Sequence, residues 1–236
     1  MSKPILMNTE MVRAILDGRK TVTRRVVKPA NAKKAAGEGY RQGHGLWIDF
    51  SADNGDREGY IKDYSVSPCW FTLGWYVNRY APYLPGDVLW VRETWTSLVG
   101  SYLYRADQKP GMKNPGKWRP SIHMPREAAR IWLRVTDVRV EKLQAISYED
   151  LQREGGKSDF YKVKRCRACG YGEPHYPKCD YEHCDNYKGL WEGSFLLPFM
   201  KLWDSTVKPA DRERYGWAAN PWVWVIEFER CEKPAD

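Results

Sequence analysis

The chain has no apolar run approaching the roughly 20 residues that cross a bilayer, and its first ten residues, MSKPILMNTE, lack the long apolar core of a secretory leader. Both absences argue against a membrane-embedded or exported protein and lead us to expect a cytoplasmic one. No internal repeat is visible, which sets aside solenoid and propeller arrays. Acidic residues are the scarcer charge, 30 Asp and Glu against 38 Lys and Arg, for a formal net charge of +8. That balance disfavours cationic partners and favours anionic ones, nucleic acid or nucleotides. Cysteines number six, and two of them, Cys69 and Cys231, stand alone. The other four cluster, and in a reducing compartment a cluster points to metal rather than to disulfides.

What is present begins with length and rings. At 236 residues the chain buries a real core, enough for one large domain or for one domain carrying an insertion. Its 12 Trp and 15 Tyr often neighbour Arg or Lys, a mixture that suits core packing and base stacking alike.

A short strand over Pro4 to Met7 precedes a helix over Asn8 to Asp17. Asn8 or Thr9 caps it, Met11, Val12, Ile15 and Leu16 form its apolar face, and Gly18 ends it. The stretch GRKTVTRR from Gly18 to Arg25 then gathers cations and hydroxyls around Val22, where alternation suits a short strand able to hold an anion. The same residues also describe a solvated basic turn.

Residues 28–85 weaken in pattern and read as a long, partly irregular insertion, with hairpins around Leu46 to Phe50 and near Trp70 to Val77. The Pro85–Gly86–Asp87 turn launches the strand DVLWVRETWTSL, and Tyr102 to Arg105 returns from it. WRPSIHMPR, from Trp118 to Arg126, carries two internal prolines and must be a fixed loop rather than a helix or central strand. Trp118 could stack on a base, Arg119 contact phosphate and His123 titrate near neutrality; equally, the Trp and Met plug one end of the fold. Ala129 to Leu143 is the clearest strand, two alternating runs with a kink near Thr136 and Asp137. Ser147 caps a helix bearing Glu149, Asp150, Leu151 and Glu154; Ser194 to Asp204 is a second helix, and Trp222 to Phe228 the last strand.

The four clustered cysteines are the strongest chemical signal. Cys166 and Cys169 form CxxC, and Cys179 and Cys184 a second pair, which together suit a closed, structural, tetrahedral zinc site. His175 and His183 are alternative ligands, so a mixed site stays open. Metal would supply folding energy that this polar segment lacks, and we expect a zinc-binding insertion at 157–188.

GRKTVTRR after a helix, the PGDVLWVRE strand, the helix bearing Glu154 and the terminal PWVWVIEFER strand together resemble the ASCH domain, a relative of the PUA RNA-binding barrel. The resemblance covers both ends of the chain and implies an α+β fold, a small closed β-barrel flanked by helices, with a cleft beside GRKT, all within one domain spanning 1–236. Some compact bacterial members are amidohydrolases that deacetylate N(4)-acetylcytidine. By motif their Lys, Thr and Glu correspond here to Lys20, Thr23 and Glu154, with Glu149 a weaker match. Thr is a poor nucleophile without a base, and Lys serves as one only if burial or neighbouring Arg19, Arg24 and Arg25 lower its pKa. Glu154 would orient Lys20 or carry a proton, and Arg25 or a backbone amide would stabilise the oxyanion. The alternative is that Lys20 and Arg25 bind phosphate while Thr23 and Glu154 serve structure. Arg92 and Glu93 point to opposite faces of their strand, with Glu93 expected inside, paired to a cation of the GRKT region.

This chain is longer than the hydrolases and resembles the larger ASCH proteins of bacteriophage and prophage genomes, implying a bacterial or infected-cell cytoplasm. Three functions follow as expectations: a modified-base amidohydrolase, a noncatalytic RNA or DNA reader, and, third, a ribonuclease acting through Lys20, Arg25 and His123.

Overall fold

The strands assemble a mixed α+β fold on one five-stranded central sheet, which among the described residues does not close into the expected barrel. The structure is a computed structural model, and it describes residues 2–28, 46–49, 60–63, 71–109, 111–113, 116–156, 159–166, 187–194 and 196–234. Strand β1 (Lys3–Leu6) leads into helix α1 (Thr9–Leu16) and strand β2 (Val22–Val26). Strands β3 (Leu46–Asp49), β4 (Tyr60–Asp63) and β5 (Phe71–Thr72) form a separate three-stranded sheet followed by helix α2 (Leu73–Tyr80). Strand β6 (Val88–Arg92) is followed by the hairpin β7 (Trp95–Leu98) and β8 (Ser101–Tyr104), then by the long β9 (Trp132–Lys142) and helix α3 (Tyr148–Arg153). Beyond them come the ladder β10 (Asp159–Cys166) with β11 (Tyr187–Ser194), helices α4 (Leu196–Thr206) and α5 (Arg212–Tyr215), and β12 (Trp222–Cys231).

The central sheet runs β1-β6-β9-β12-β2. Strand β1 lies parallel to β6, and the other neighbours are antiparallel. No ladder joins the edge strands β1 and β2 among the described residues. Alternation along β12 sorts the core: Trp224, Ile226 and Phe228 face one side with α1 and Tyr76 of α2, while Val223 and Val225 face the other with Leu151, Phe199 and Trp203. On β9 a plain two-residue period would send Val138 and Val140 to the face opposite Leu133 and Val135. The ladder pairs Asp137 with Glu227 and Val135 with Phe228, so Thr136 is an unopposed bulge residue. The extra residue restores parity, and all four side chains enter the same core. This is the kink that the sequence pattern predicts.

Asn8 and Ser147 cap α1 and α3 as expected, accepting from Met11 N and Asp150 N. The hairpin expected near Trp70 to Val77 is not found among the described residues, where Phe71–Thr72 forms β5 and Leu73–Tyr80 forms α2. Leu73, Tyr76, Val77 and Tyr80 follow a helical period, the Thr72 side chain caps the first turn, and burying Tyr76 completely outweighs the β preference of these rings.

Candidate functional site

Gly18 takes φ +73° and turns the chain so that the N–H groups of Arg19 and Lys20 both donate to Ala14 O, at 2.9 and 3.0 Å. Lys20 then forms a single antiparallel bridge with Glu154, just past the end of α3. The close fit depends on Gly155: it has φ +81°, and a Cβ there would lie 2.6 Å from Ala14 Cβ and 2.7 Å from Lys20 Cβ. The LQREG sequence thus delivers Glu154 to the GRKT segment because its last residue has no side chain.

Lys20 is buried, and its ammonium spends three donors at once, on Glu154 Oε2 at 2.6 Å, Val22 O at 2.7 Å and Glu154 O at 3.0 Å. Burial pulls its pKa below the ordinary lysine value, and the Glu154 carboxylate opposes that shift. Glu154 also accepts from Arg24 Nη1 at 3.1 Å. Arg24 Nη2 reaches Asp150 at 2.7 Å and Glu141 at 3.3 Å. Arg139 and Arg153 extend the network to Asp150 and Glu227, and their hydrogen bonds hold the Glu227 carboxyl below the ordinary value. A set of alternating charges therefore locks α3 onto the sheet.

Thr23, also buried, accepts from Arg25 Nη1 at 3.1 Å. The three hydrogen bonds of Lys20 go elsewhere, so Lys20 and Thr23 are brought to the same short segment without being joined by one. Arg25 continues past Thr23: its Nη2 donates to Leu6 O on β1 at 2.9 Å. One guanidinium thus ties the two edges of the sheet.

Beside that tie lies a cleft of about 590 Å³. Arg25, Lys28 and Lys208 line it with positive charge; Met7, Trp203 and Tyr215 supply apolar and aromatic surface, and Asp211 is its one described carboxylate. The volume is that of a small-molecule site. Lys28 sits over the Tyr215 ring at 5.9 Å. Sequence reasoning reached Arg24 and Arg25 but missed Lys208 and Tyr215. Their signal is the run KPADRERY, cations interleaved with a ring, which reads as a plain surface turn until α4 brings it to β2.

The remaining candidates lie apart from the cleft lining. Arg19 pairs with Asp17 at 2.8 Å and donates to Gly155 O, a supporting contact for the Lys20 bridge. Glu93 is buried as expected, but its partner is Arg130, held by two hydrogen bonds of 2.9 and 3.1 Å, not a cation of the GRKT region. The pairing of β6 with β9 continues past Trp90 and Trp132 through the bond from Val91 N to Ile131 O, and so sets Arg130 beside Glu93. Burial raises the Glu93 pKa while Arg130 lowers it. Arg92, its neighbour, is half-buried and donates to Ile122 O. The WRPSIHMPR loop folds onto β7: Arg119 and Trp95 exchange both backbone hydrogen bonds, and the Arg119 guanidinium lies 5.0 Å from the Trp95 ring centre. Trp118 is half-buried and His123 exposed, and Ser121 alone brings this loop to the cleft.

Of the four cysteines, Cys166 ends β10 opposite Tyr187. Cys169, Cys179 and Cys184, like His175 and His183, lie outside the described residues. Among the described residues no three His, Cys, Asp or Glu side chains gather as metal ligands, and no helix is long and apolar enough to cross a membrane.

Comparison with family models, with curated proteins and with solved structures finds no match for this chain.

Proposed function

We propose that this chain is an ASCH-type, PUA-like nucleotide- or nucleic-acid-binding protein, and that the cleft between Arg25, Lys208 and Tyr215 receives the base and phosphate. The observation that carries this reading is the composition of the cleft: cations and rings share one space of about 590 Å³, in a chain with net charge +8. Phosphate contacts would come from the cations, and stacking from Tyr215. Calorimetric titration with cytidine 5′-monophosphate at several salt concentrations tests it. Binding should weaken as salt rises, and Arg25→Ala should lose about tenfold or more in affinity. Equal affinity of the variant, or no binding at low salt, contradicts it.

A second reading is an amide hydrolysis behind the cleft wall, where Lys20, Thr23 and Glu154 are buried and do not themselves line the cleft, so Arg25 would have to leave Thr23 for a substrate to reach it. Thr23 Oγ would attack the acyl carbon of an N(4)-acetylcytidine-like base, the C–N bond would break as Lys20 and Glu154 deliver a proton to the departing amine, and water would then release acetate from Thr23. It is favoured by the burial that lowers the Lys20 pKa beside Glu154. As folded here Lys20 has no free lone pair, so the reading requires Lys20 to pass a proton to Glu154 before accepting one from Thr23. Mass spectrometry of acylated nucleosides incubated with the protein decides it: Thr23→Ala should abolish release of acetate. A full rate in that variant, or no turnover by the folded wild type, returns the site to binding alone.

The zinc reading stays with the cysteines. Cys166, Cys169, Cys179 and Cys184 would hold one structural zinc, closing the segment that β10 and β11 present.

A further inference from the structure

A second cleft, of about 580 Å³, opens on the other side of Asn8 and Thr94, two residues that line both spaces. Its floor is built rather than incidental. Arg13 of α1 donates to Ala106 O at 2.8 Å and to Gln108 O at 3.0 Å, while the Arg105 N–H donates to Thr94 O at 3.0 Å. These bonds pin the turn after β8 against the helix and leave the Arg105 and Lys109 side chains exposed at the cleft. Neither makes an ion pair among the described residues. The one carboxylate lining the cleft among the described residues, Glu10, is engaged by Arg13 at 2.9 Å. Among the described residues no aromatic side chain lines this second space, so they offer charge without a stacking platform.

We propose that the two clefts form one continuous track for a single-stranded nucleic acid. A base occupies the cleft at Arg25, and the backbone phosphate of a neighbouring nucleotide lies against Arg105 and Lys109. The proposal rests on the reading of the first cleft as a nucleotide site and names its ligand as a strand rather than a free nucleotide. The division of labour follows from the linings: rings with cations recognise a base and its phosphate, whereas cations alone recognise only backbone.

The test titrates the full chain with cytidine 5′-monophosphate and with cytidine tetranucleotides, ribo and deoxy, over a range of salt. The wild type should bind at least one tetranucleotide about tenfold more tightly than the mononucleotide. The Arg105→Ala, Lys109→Ala double variant should lose that gain and flatten the salt slope by about 1.4, two phosphate contacts at about 0.7 each, while keeping its mononucleotide affinity. Both side chains are exposed, so an unchanged thermal midpoint will show that the variant is folded. A tetranucleotide no tighter than the mononucleotide, or a double variant with an unaltered salt slope, overturns the track and leaves the nucleotide site standing. Absence of binding by every ligand at low salt overturns both.

Discussion

Glu154 is the residue on which the site turns, because it neutralises two buried cations, Lys20 and Arg24, at the same time. Removing its charge would leave both in a low-dielectric environment with weakened compensation. Glu154→Gln should therefore destabilise the protein by about 3–5 kcal/mol in urea unfolding, the range for breaking a buried ion pair from one side. A loss under 1 kcal/mol would show that the network is solvated and that Lys20 owes nothing to it. Thr23→Ala removes a single acceptor from Arg25 and should cost only about 1 kcal/mol, which makes it the cleaner probe of chemistry. The resemblance singled out Lys20, Thr23 and Glu154 together, and of these the structure joins Lys20 to Glu154. The saturation of Lys20 was not legible in the sequence, because the Val22 and Glu154 carbonyls that bind it are backbone atoms whose direction no side-chain pattern encodes.

At the scale of elements, the sequence announced those whose apolar period and caps agree. The β9 bulge is an example: its two alternating runs differ in parity, and only an extra residue at Thr136 reconciles them. Helix α2 was hidden because its residues are aromatic and β-branched, so propensity and period disagreed and burial of Tyr76 decided. The partner of Glu93 was hidden by strand order, which no local pattern reports. The approach of α3 to α1 makes a sharper prediction. Gly155→Ala combines a left-handed backbone with contacts at 2.6 and 2.7 Å, and should cost about 2–5 kcal/mol. Gly18→Ala shares the positive φ but meets nothing within 4 Å, and should cost about 1–2 kcal/mol. Thermal or urea unfolding of the two variants compares them directly, and equal losses would mean that Gly155 serves its turn and not the packing.

At the scale of the molecule, a curved sheet holds its edges together through Arg25 and leaves a charged, ring-lined cleft at the join. The net positive charge was legible in the composition, but not the place where Lys208 and Tyr215, 183 and 190 residues from Arg25 in sequence, return to it. The zinc expectation is independent of that cleft: elemental analysis of purified protein should find about one equivalent, and Cys179→Ser should lose it. The central claim is that a nucleotide lies in the cleft at Arg25, and photocrosslinking tests it most directly. Irradiating the protein with a 4-thiouridine nucleotide and mapping adducts by mass spectrometry should place them on peptides carrying Met7, Trp203 or Tyr215, with suppression by excess unlabelled nucleotide. Adducts confined to other surfaces, or adducts at these residues that competitor leaves unchanged, would contradict the account.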